Sequence, residues 1–403
     1  MPQILWIGCL ESDQEFKRKA EKGYDLASAQ VSQKNLLLGI ERVSGITCDS
    51  INGSVLPPYP IYQDRIIESV EWSHTDNSFD ISVGYKNDKY INRVNCKNAM
   101  IKAADKWIEQ RYEGGELIVF VYSMRSAPMA AACKIKDKIK NAKIYLIVTD
   151  LPQFMDLGQS RVKAVLKRLD WVSIKKMQRR IDGFILYAEK MAKFLQIPEE
   201  KWILMEGSYD ASDIVQSKME KKKAVMYSGK LDMQYGIKML LDAFMQIPDL
   251  DIELWLTGGG NAEEYIKECV KKDQRIRYYG FFPSRLDVLK KQVEASLLIN
   301  MRLPSEPASD YCFPSKLFEY MATGTPVLSF DIGGIPREYI DYLYIVKSES
   351  VKVLAEAIET TLELDKSLLT KKGRDAQDFI LKGKNTETQC LKIWEYVTNR
   401  VTK

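Results

Sequence analysis

The chain has 403 residues, 45% of them hydrophobic, enough to bury two cores of ordinary size. Its 59 lysines and arginines against 55 acidic residues leave a net charge of +4, too mild to imply a nucleic-acid partner, and no basic-and-aromatic pattern suited to stacking bases accompanies it. No window approaches the roughly eighteen uncharged apolar residues of a membrane span, and Met1 to Trp6 run straight into an apolar strand, so the expected setting is cytoplasmic, without a signal peptide.

The first half alternates strand and helix. Ile4 to Gly8 reads as a short apolar strand, and Ala27 to Ile40 has helical spacing with a polar face at Gln30, Gln33 and Lys34. An irregular stretch from about 45 to 95 follows, and helix resumes from Cys96 to Tyr112. Gly114-Gly115 breaks it before the apolar run Leu117 to Tyr122. A helix from about Ala127 and a second apolar run, Ile144 to Val148, lead to the loop Asp150 to Met155. Fully apolar strands in such succession predict a parallel sheet covered on both faces.

Between Arg161 and Arg180 eight lysines and arginines stand against one aspartate, interleaved with Val162, Val165, Leu166, Leu169, Trp171, Val172 and Ile174. The spacing predicts a helix with one apolar and one basic face. It suits either packing on its own domain or docking on an anionic membrane surface.

The second half restarts the pattern after a polar linker, about 208 to 223, taken as the domain boundary. Strands are expected over Ala224 to Tyr227, Ile252 to Thr257, Arg275 to Tyr279 and Ser296 to Asn300. Each stops at a glycine or a polar residue: Ser228-Gly229, Gly258 to Gly260, Gly280, and the approach to Arg302. Open α/β sheets bind ligands at such strand ends. Helices over about 367 to 400 close the chain.

The most informative segment is Phe313 to Ser329. Pro314 and Ser315 are helix-starting residues, Ser315 is expected to cap, and Lys316 to Ala322 form a short helix ending at Thr323-Gly324. A helix start with a lysine in its first turn favours a phosphate. Glu319 lies one turn beyond Ser315 on the same face, where a carboxylate could accept hydrogen bonds from ribose hydroxyls. The seven cysteines (Cys9, Cys48, Cys96, Cys133, Cys269, Cys312 and Cys390) are scattered without a close pair, so buried thiols are expected rather than disulfides or a zinc site. His74, the only histidine, lies among polar residues and reads as a surface side chain; no metal site is expected.

The segment from Phe313, continued by Gly333-Gly334-Ile335-Pro336-Arg337-Glu338, resembles the donor signature of retaining family 4 glycosyltransferases of GT-B fold. Glu319 falls on the second glutamate of their E-x7-E motif, whereas Tyr311 stands where the first would be. A bacterial subset of the family instead has an arginine in a strand-end loop followed by Phe-Pro-Ser-Lys and the second glutamate, which Arg302, Phe313 to Lys316 and Glu319 match. The resemblance implies an α/β fold of two Rossmann-like domains facing a central cleft: 1–207 binding the acceptor, 208–383 binding the nucleotide sugar, and 384–403 a helix crossing back.

It further implies that Arg302, Lys316 and Lys230, with Asp150, serve catalysis. Gly229, Gly258, Gly259, Gly280, Phe281, Pro314, Ser315, Glu319 and Glu206 would bind the donor. Tyr235 replaces a lysine usual before Gly236. The implied reaction moves a sugar from a UDP- or GDP-linked donor to a saccharide or lipid-linked acceptor with retention, without metal or cofactor, in bacterial surface polysaccharide or glycoconjugate synthesis. The expected place is the cytoplasm, either free or, through the basic helix over 161–180, peripheral on the inner face of the cell membrane. A non-catalytic GT-B partner subunit and a UDP-sugar 2-epimerase are the rival readings.

Overall fold

The computed structural model describes residues 2–22, 27–154, 161–210, 221–282 and 284–401. Met155 and most of the expected linker lie outside them. Two compact units emerge: residues 1–187, 191–206 and 389–403 form the first, and 188–190 with 207–388 the second.

The first unit is built on an eight-stranded sheet. Its order is Trp202–Leu204, Gly183–Leu186, Lys143–Val148, Leu117–Tyr122, Gln3–Gly8, Cys48–Asn52, Asp80–Ser82 and Val70–Trp72. All neighbours are parallel except the last pair. The central strands are apolar along their whole length because helices cover both faces, as the uninterrupted hydrophobic runs predicted. The end of the last helix, Thr386–Val401, belongs to this core: Cys390 and Ile393 are buried, and the Tyr145 hydroxyl donates to the Val397 carbonyl at 3.1 Å.

The irregular stretch holds more order than its sequence suggested. Cys48–Asn52 (Cys-Asp-Ser-Ile-Asn) is a sheet strand buried at every position although three of its five side chains are polar. Periodicity cannot reveal such a strand; a hydrogen-bond network sustains it. Ser50 Oγ donates to Asp80, Asn52 Nδ2 donates to Ser50 Oγ at 2.7 Å, and Leu10 N donates to Asn52 Oδ1 at 2.9 Å.

His74 corrects the sequence reading. It is a buried residue, its side chain 5% exposed, with Nδ1 2.7 Å from Asp80 Oδ2 and Nε2 3.1 Å from Glu41 Oε1. Gln33 corrects a second expectation: it lies on the buried face of Ala27–Ser44, where its side chain accepts from Cys9 N at 3.0 Å. Of the seven cysteines five are buried, as expected, while Cys9 and Cys312 are partly accessible; all are free thiols.

The second unit carries a six-stranded parallel sheet ordered Ile276–Tyr278, Glu253–Thr257, Lys222–Ser228, Ala295–Asn300, Val327–Phe330 and Tyr344–Val346. Order reverses about Lys222–Ser228, whose neighbours are reached by crossovers on opposite sides, so this strand and Ala295–Asn300 flank a topological switch point. No helix of the described residues is long and apolar enough to cross a membrane.

His74 yields a stability prediction. Burial alone would lower its pKa, but the hydrogen bonds it donates to Asp80 and Glu41 outweigh burial and raise it from 6.5 to about 9. The imidazolium thus binds its proton more tightly when folded, and its contribution is complete below pH 6.5 and lost as pH rises through 9. Urea titrations should show wild type losing about 2–3 kcal/mol over that window. His74→Phe should be less stable by about 3 kcal/mol at pH 6 and show a flatter profile, since buried Asp80 and partly buried Glu41 lose their cation. Equal pH dependence in the two proteins would refute this role.

Candidate functional site

The candidate site lies at the C-terminal ends of the second unit's strands, where three turns stack. Lys222–Ser228 ends at Gly229 (φ 131°), Glu253–Thr257 at Gly258 (φ 123°), and Gly280 (φ 64°) follows Ile276–Tyr278. Gly229 N donates to Thr257 O at 2.9 Å, Gly258 N to Gly280 O at 2.8 Å, and Leu231 N to Gly259 O at 3.0 Å. A Cβ on Gly258 would overlap the Gly229 carbonyl, and one on Gly260 the Leu231 carbonyl. The glycines of 258–260 therefore serve first to let one turn pass over the next.

Gly229 has a second task. A Cβ there would occupy the space of the Lys316 ammonium, so the missing side chain opens a lane for Lys316 across the end of the central strand. Lys316 Nζ donates to the Tyr227 hydroxyl at 3.0 Å and stands 4.3 Å from the centre of that ring. The hydroxyl in turn donates to the Lys230 carbonyl at 3.0 Å. Burial is the main reason the Lys316 pKa falls to about 8; the Arg302 charge lowers it further and Glu319 opposes.

Two more cations flank the next tyrosine. The Arg302 guanidinium lies 5.7 Å and Lys230 Nζ 5.6 Å from the centre of the Tyr235 ring, within the range of cation–π attraction. Arg302 Nη1 is 3.4 Å from Glu306 Oε2, and Lys230 Nζ is 2.7 Å from Asp232 Oδ2. Tyr227 and Tyr235 thus hold the three predicted basic residues in one place. Sequence reasoning assigned neither a role, because an aromatic ring that positions a cation looks like any core or surface aromatic.

Ser315 departs from expectation. Its backbone is already helical (φ −52°, ψ −25°), its side chain makes no capping bond, and Leu317 N and Phe318 N donate to the Pro314 and Ser315 carbonyls at 2.8 and 3.3 Å. Phe313, just before the helix, is buried, with its ring centre 4.8 Å from that of Phe318 and 5.1 Å from that of Tyr339. The helix Lys316–Ala322 turns Lys316, Glu319 and Tyr320 to one side, as i, i+3 and i+4 spacing requires. The Tyr320 hydroxyl accepts from Ser228 N at 2.9 Å and donates to Ser228 O at 3.0 Å, stitching this helix to the central strand.

Glu319 is oriented from the side. Buried Gln292 donates to Glu319 Oε1 at 2.6 Å and to Ser228 Oγ at 2.8 Å, and Arg285 Nε approaches Glu319 Oε2 at 3.4 Å. Gln292, like Glu306, carries no sequence signal. Tyr311 occupies the position of the absent first motif glutamate; Glu306, five residues earlier, is the carboxylate set against Arg302. Phe281 is 79% exposed, with its ring edge against Gly259, where a Cβ would come within 2.5 Å of it. Asp150 and Glu206 belong to the first unit. Asp150 follows the strand Lys143–Val148, close enough that its charge adds to burial in raising the Tyr122 and Tyr187 pKa values, and Glu206 is buried.

The lane at Gly229 is testable. Gly229→Ala should cost about 1–3 kcal/mol in urea unfolding, because an alanine at this positive φ is strained whatever Lys316 does. Unchanged stability would show that the turn relaxes freely and does not hold the lane open.

Residues 210–378 match the family described as glycosyl transferases group 1. The Escherichia coli K12 protein WcaI, assigned as a colanic acid biosynthesis glycosyl transferase, is 24% identical over 156 residues, which cover 36% of this chain and 37% of that protein. Among solved structures, sucrose-phosphate synthase from Thermosynechococcus elongatus superposes with a TM-score of 0.69 at 15% identity, covering 98% of both chains. Anabaena HepE, in complex with UDP, gives 0.65 at 13% identity, covering 98% of this chain and all of the other. The chain has the GT-B fold, and residues 210–378 of its second unit are similar to group 1 glycosyl transferases.

Proposed function

We propose that the protein is a retaining glycosyltransferase of the family 4 type, which moves a sugar from a nucleoside-diphosphate donor to an acceptor hydroxyl. The observation that carries this reading is the gathering of Lys316, Arg302 and Lys230 around Tyr227 and Tyr235 at the strand ends. Arg302 and Lys230 have carboxylates beside them, whereas the half-buried Lys316 donates its ammonium hydrogen to a neutral phenol. A desolvated cation held by a neutral group gains much from an arriving anion. UDP is the first nucleotide to test, because HepE is known in complex with it; the WcaI likeness supports a role in surface polysaccharide synthesis.

In this reading the diphosphate lies against Lys316, Arg302 and Lys230, with the turns at Gly229, Gly258 and Gly259 beside it. Pro314 and Ser315 border it, and Gly280 and Phe281 offer the base a bare backbone and an exposed ring. Glu319 keeps spare lone pairs beyond those used by Gln292 and Arg285, and these accept ribose hydroxyls. The acceptor oxygen bonds to the anomeric carbon on the side from which the diphosphate leaves. The sugar–phosphate C–O bond breaks, and the hydroxyl proton passes to the departing phosphate oxygen. The three cations stabilise charge growing on that oxygen, so the protein's part is electrostatic preorganisation. Asp150 and Glu206, which follow strands of the first unit, are proposed respectively as a further catalytic residue and a further polar group for the donor.

A thermal-shift panel of UDP- and GDP-sugars tests the donor class: a true donor at a hundred times its dissociation constant stabilises by about 2.7 kcal/mol. Lys316→Ala and Arg302→Ala should each lower transfer about thirty- to a thousandfold with the fold intact, and near-normal turnover by both would sink the assignment. Because free Lys316 loses its proton above about pH 8, UDP affinity should fall by roughly tenfold per pH unit above it. Lys316→Arg, always charged, should not show that fall. Transfer should also survive EDTA, since the cations take the place of a divalent ion; a complete loss restored by added metal would overturn this.

A further inference from the structure

The helix Arg161–Gln178 presents an uncovered apolar row that the proposed transfer does not use. Val165, Leu169 and Val172 are 60%, 63% and 63% exposed, and Leu166 beside them is 42% exposed. Spacings of four and three put the first three on a single stripe. The opposite side is where the helix meets its own unit: Ile174 is buried, and Trp171 and Met177 are half-buried.

The cations divide between the two sides. Lys167 Nζ donates to the Gln153 carbonyl and Lys175 Nζ to the Leu195 carbonyl, both at 3.0 Å. Just past the helix, Arg180 pairs with Asp137 at 2.5 Å. These three hold the helix in place, which answers half of what the sequence left open. Arg168 and Lys176 are instead exposed, and by helical spacing they fall along and beside the apolar row; Arg179, in the turn that follows the helix, is exposed too. The described acidic residue of the helix, Asp170, lies toward the packed side by the same spacing.

We infer that this face docks on an anionic lipid surface, with Val165, Leu169 and Val172 entering the headgroup boundary and Arg168, Lys176 and Arg179 meeting lipid phosphates. Charge complementarity selects this occupant. A second copy laid face to face would bring two sets of these cations together, which is unfavourable in a twofold contact. A straight aliphatic row edged by cations on a helix too polar to insert suits a plane with acidic groups above and acyl chains beneath. The inference is independent of the transfer reaction.

The test is sedimentation of the full chain with vesicles of phosphatidylcholine mixed with phosphatidylglycerol, against pure phosphatidylcholine, at low and high salt. Wild type should bind the mixed vesicles at low salt and release them at high salt. Replacing Arg168, Lys176 and Arg179 together by serine should weaken binding by roughly a hundredfold. Replacing Val165, Leu169 and Val172 by serine should weaken it at least about tenfold. Both variants should keep the wild-type melting temperature. Wild type that ignores mixed vesicles at low salt overturns the proposal without recourse to any variant. So does a concentration-dependent dimer that the apolar variant abolishes while vesicle binding persists. Leu169→Trp supplies a gain of signal: it should add quenching by brominated phosphatidylglycerol beyond that of the native tryptophans, and no added quenching counts against insertion.

Discussion

The arrangement of the candidate site depends on where the Lys316 ammonium goes. It crosses the end of the second unit's central strand through the space that Gly229 leaves empty and settles on the Tyr227 hydroxyl and ring. Placing a cation against a phenol rather than a carboxylate leaves its desolvation only partly offset, which is why its pKa falls toward 8. The cost is tolerable because Tyr227 is itself held by the Lys230 carbonyl and because Tyr320 ties the helix carrying Lys316 to Ser228. A lysine so placed is available to an anionic ligand without first leaving an ion pair.

The same constraint explains the neighbouring turns. The loop at 229–232 can bring Lys230 beside Tyr235 only if the loop at 258–260 passes beneath it. Backbone hydrogen bonds and missing Cβ atoms make that crossing possible. Tyr235 then does what its sequence position obscured: standing where relatives resembled by this chain carry a lysine, it contributes a ring that two other cations share. The positive charge at the site is therefore redistributed rather than lost, and Glu306 beside Arg302 brings a carboxylate back into the loop that lacks the first motif glutamate.

The first unit shows a different balance. Its central strands are apolar, yet Cys48–Asn52 and Asp80–Ser82 carry a buried polar network ending on His74. Such a network is stabilising only when every member is satisfied. Here Glu41, on the helix Ala27–Ser44, and Asp80, on the sheet, take the two imidazole nitrogens, so the histidine joins helix to sheet. The exposed row on Arg161–Gln178 is the counterpart at the surface, apolar where packing does not ask for it.

What could be read from the sequence alone follows from local rules. Uninterrupted apolar runs bounded by glycine or polar residues marked Gln3–Gly8, Leu117–Tyr122 and Lys143–Val148 in the first sheet and four of the six strands of the second, since a strand covered on both faces has no polar side to show. The Phe313 to Glu319 segment pointed to the candidate site, since its residue types and spacing are set by one short helix. Tertiary structure alone decided the rest. Cys48–Asn52 is a strand because distant partners satisfy its polar side chains. His74 is buried because Glu41 and Asp80 converge on it from separate elements. Ser315 does not cap because its own backbone is already helical and the Leu317 and Phe318 N–H groups bond to the Pro314 and Ser315 carbonyls. Tyr227, Tyr235, Gln292 and Glu306 gain their places only when turns far apart in the chain are stacked. Local pattern records which face a residue prefers; which partner it meets there depends on contacts between distant segments, and those have no fixed spacing to read.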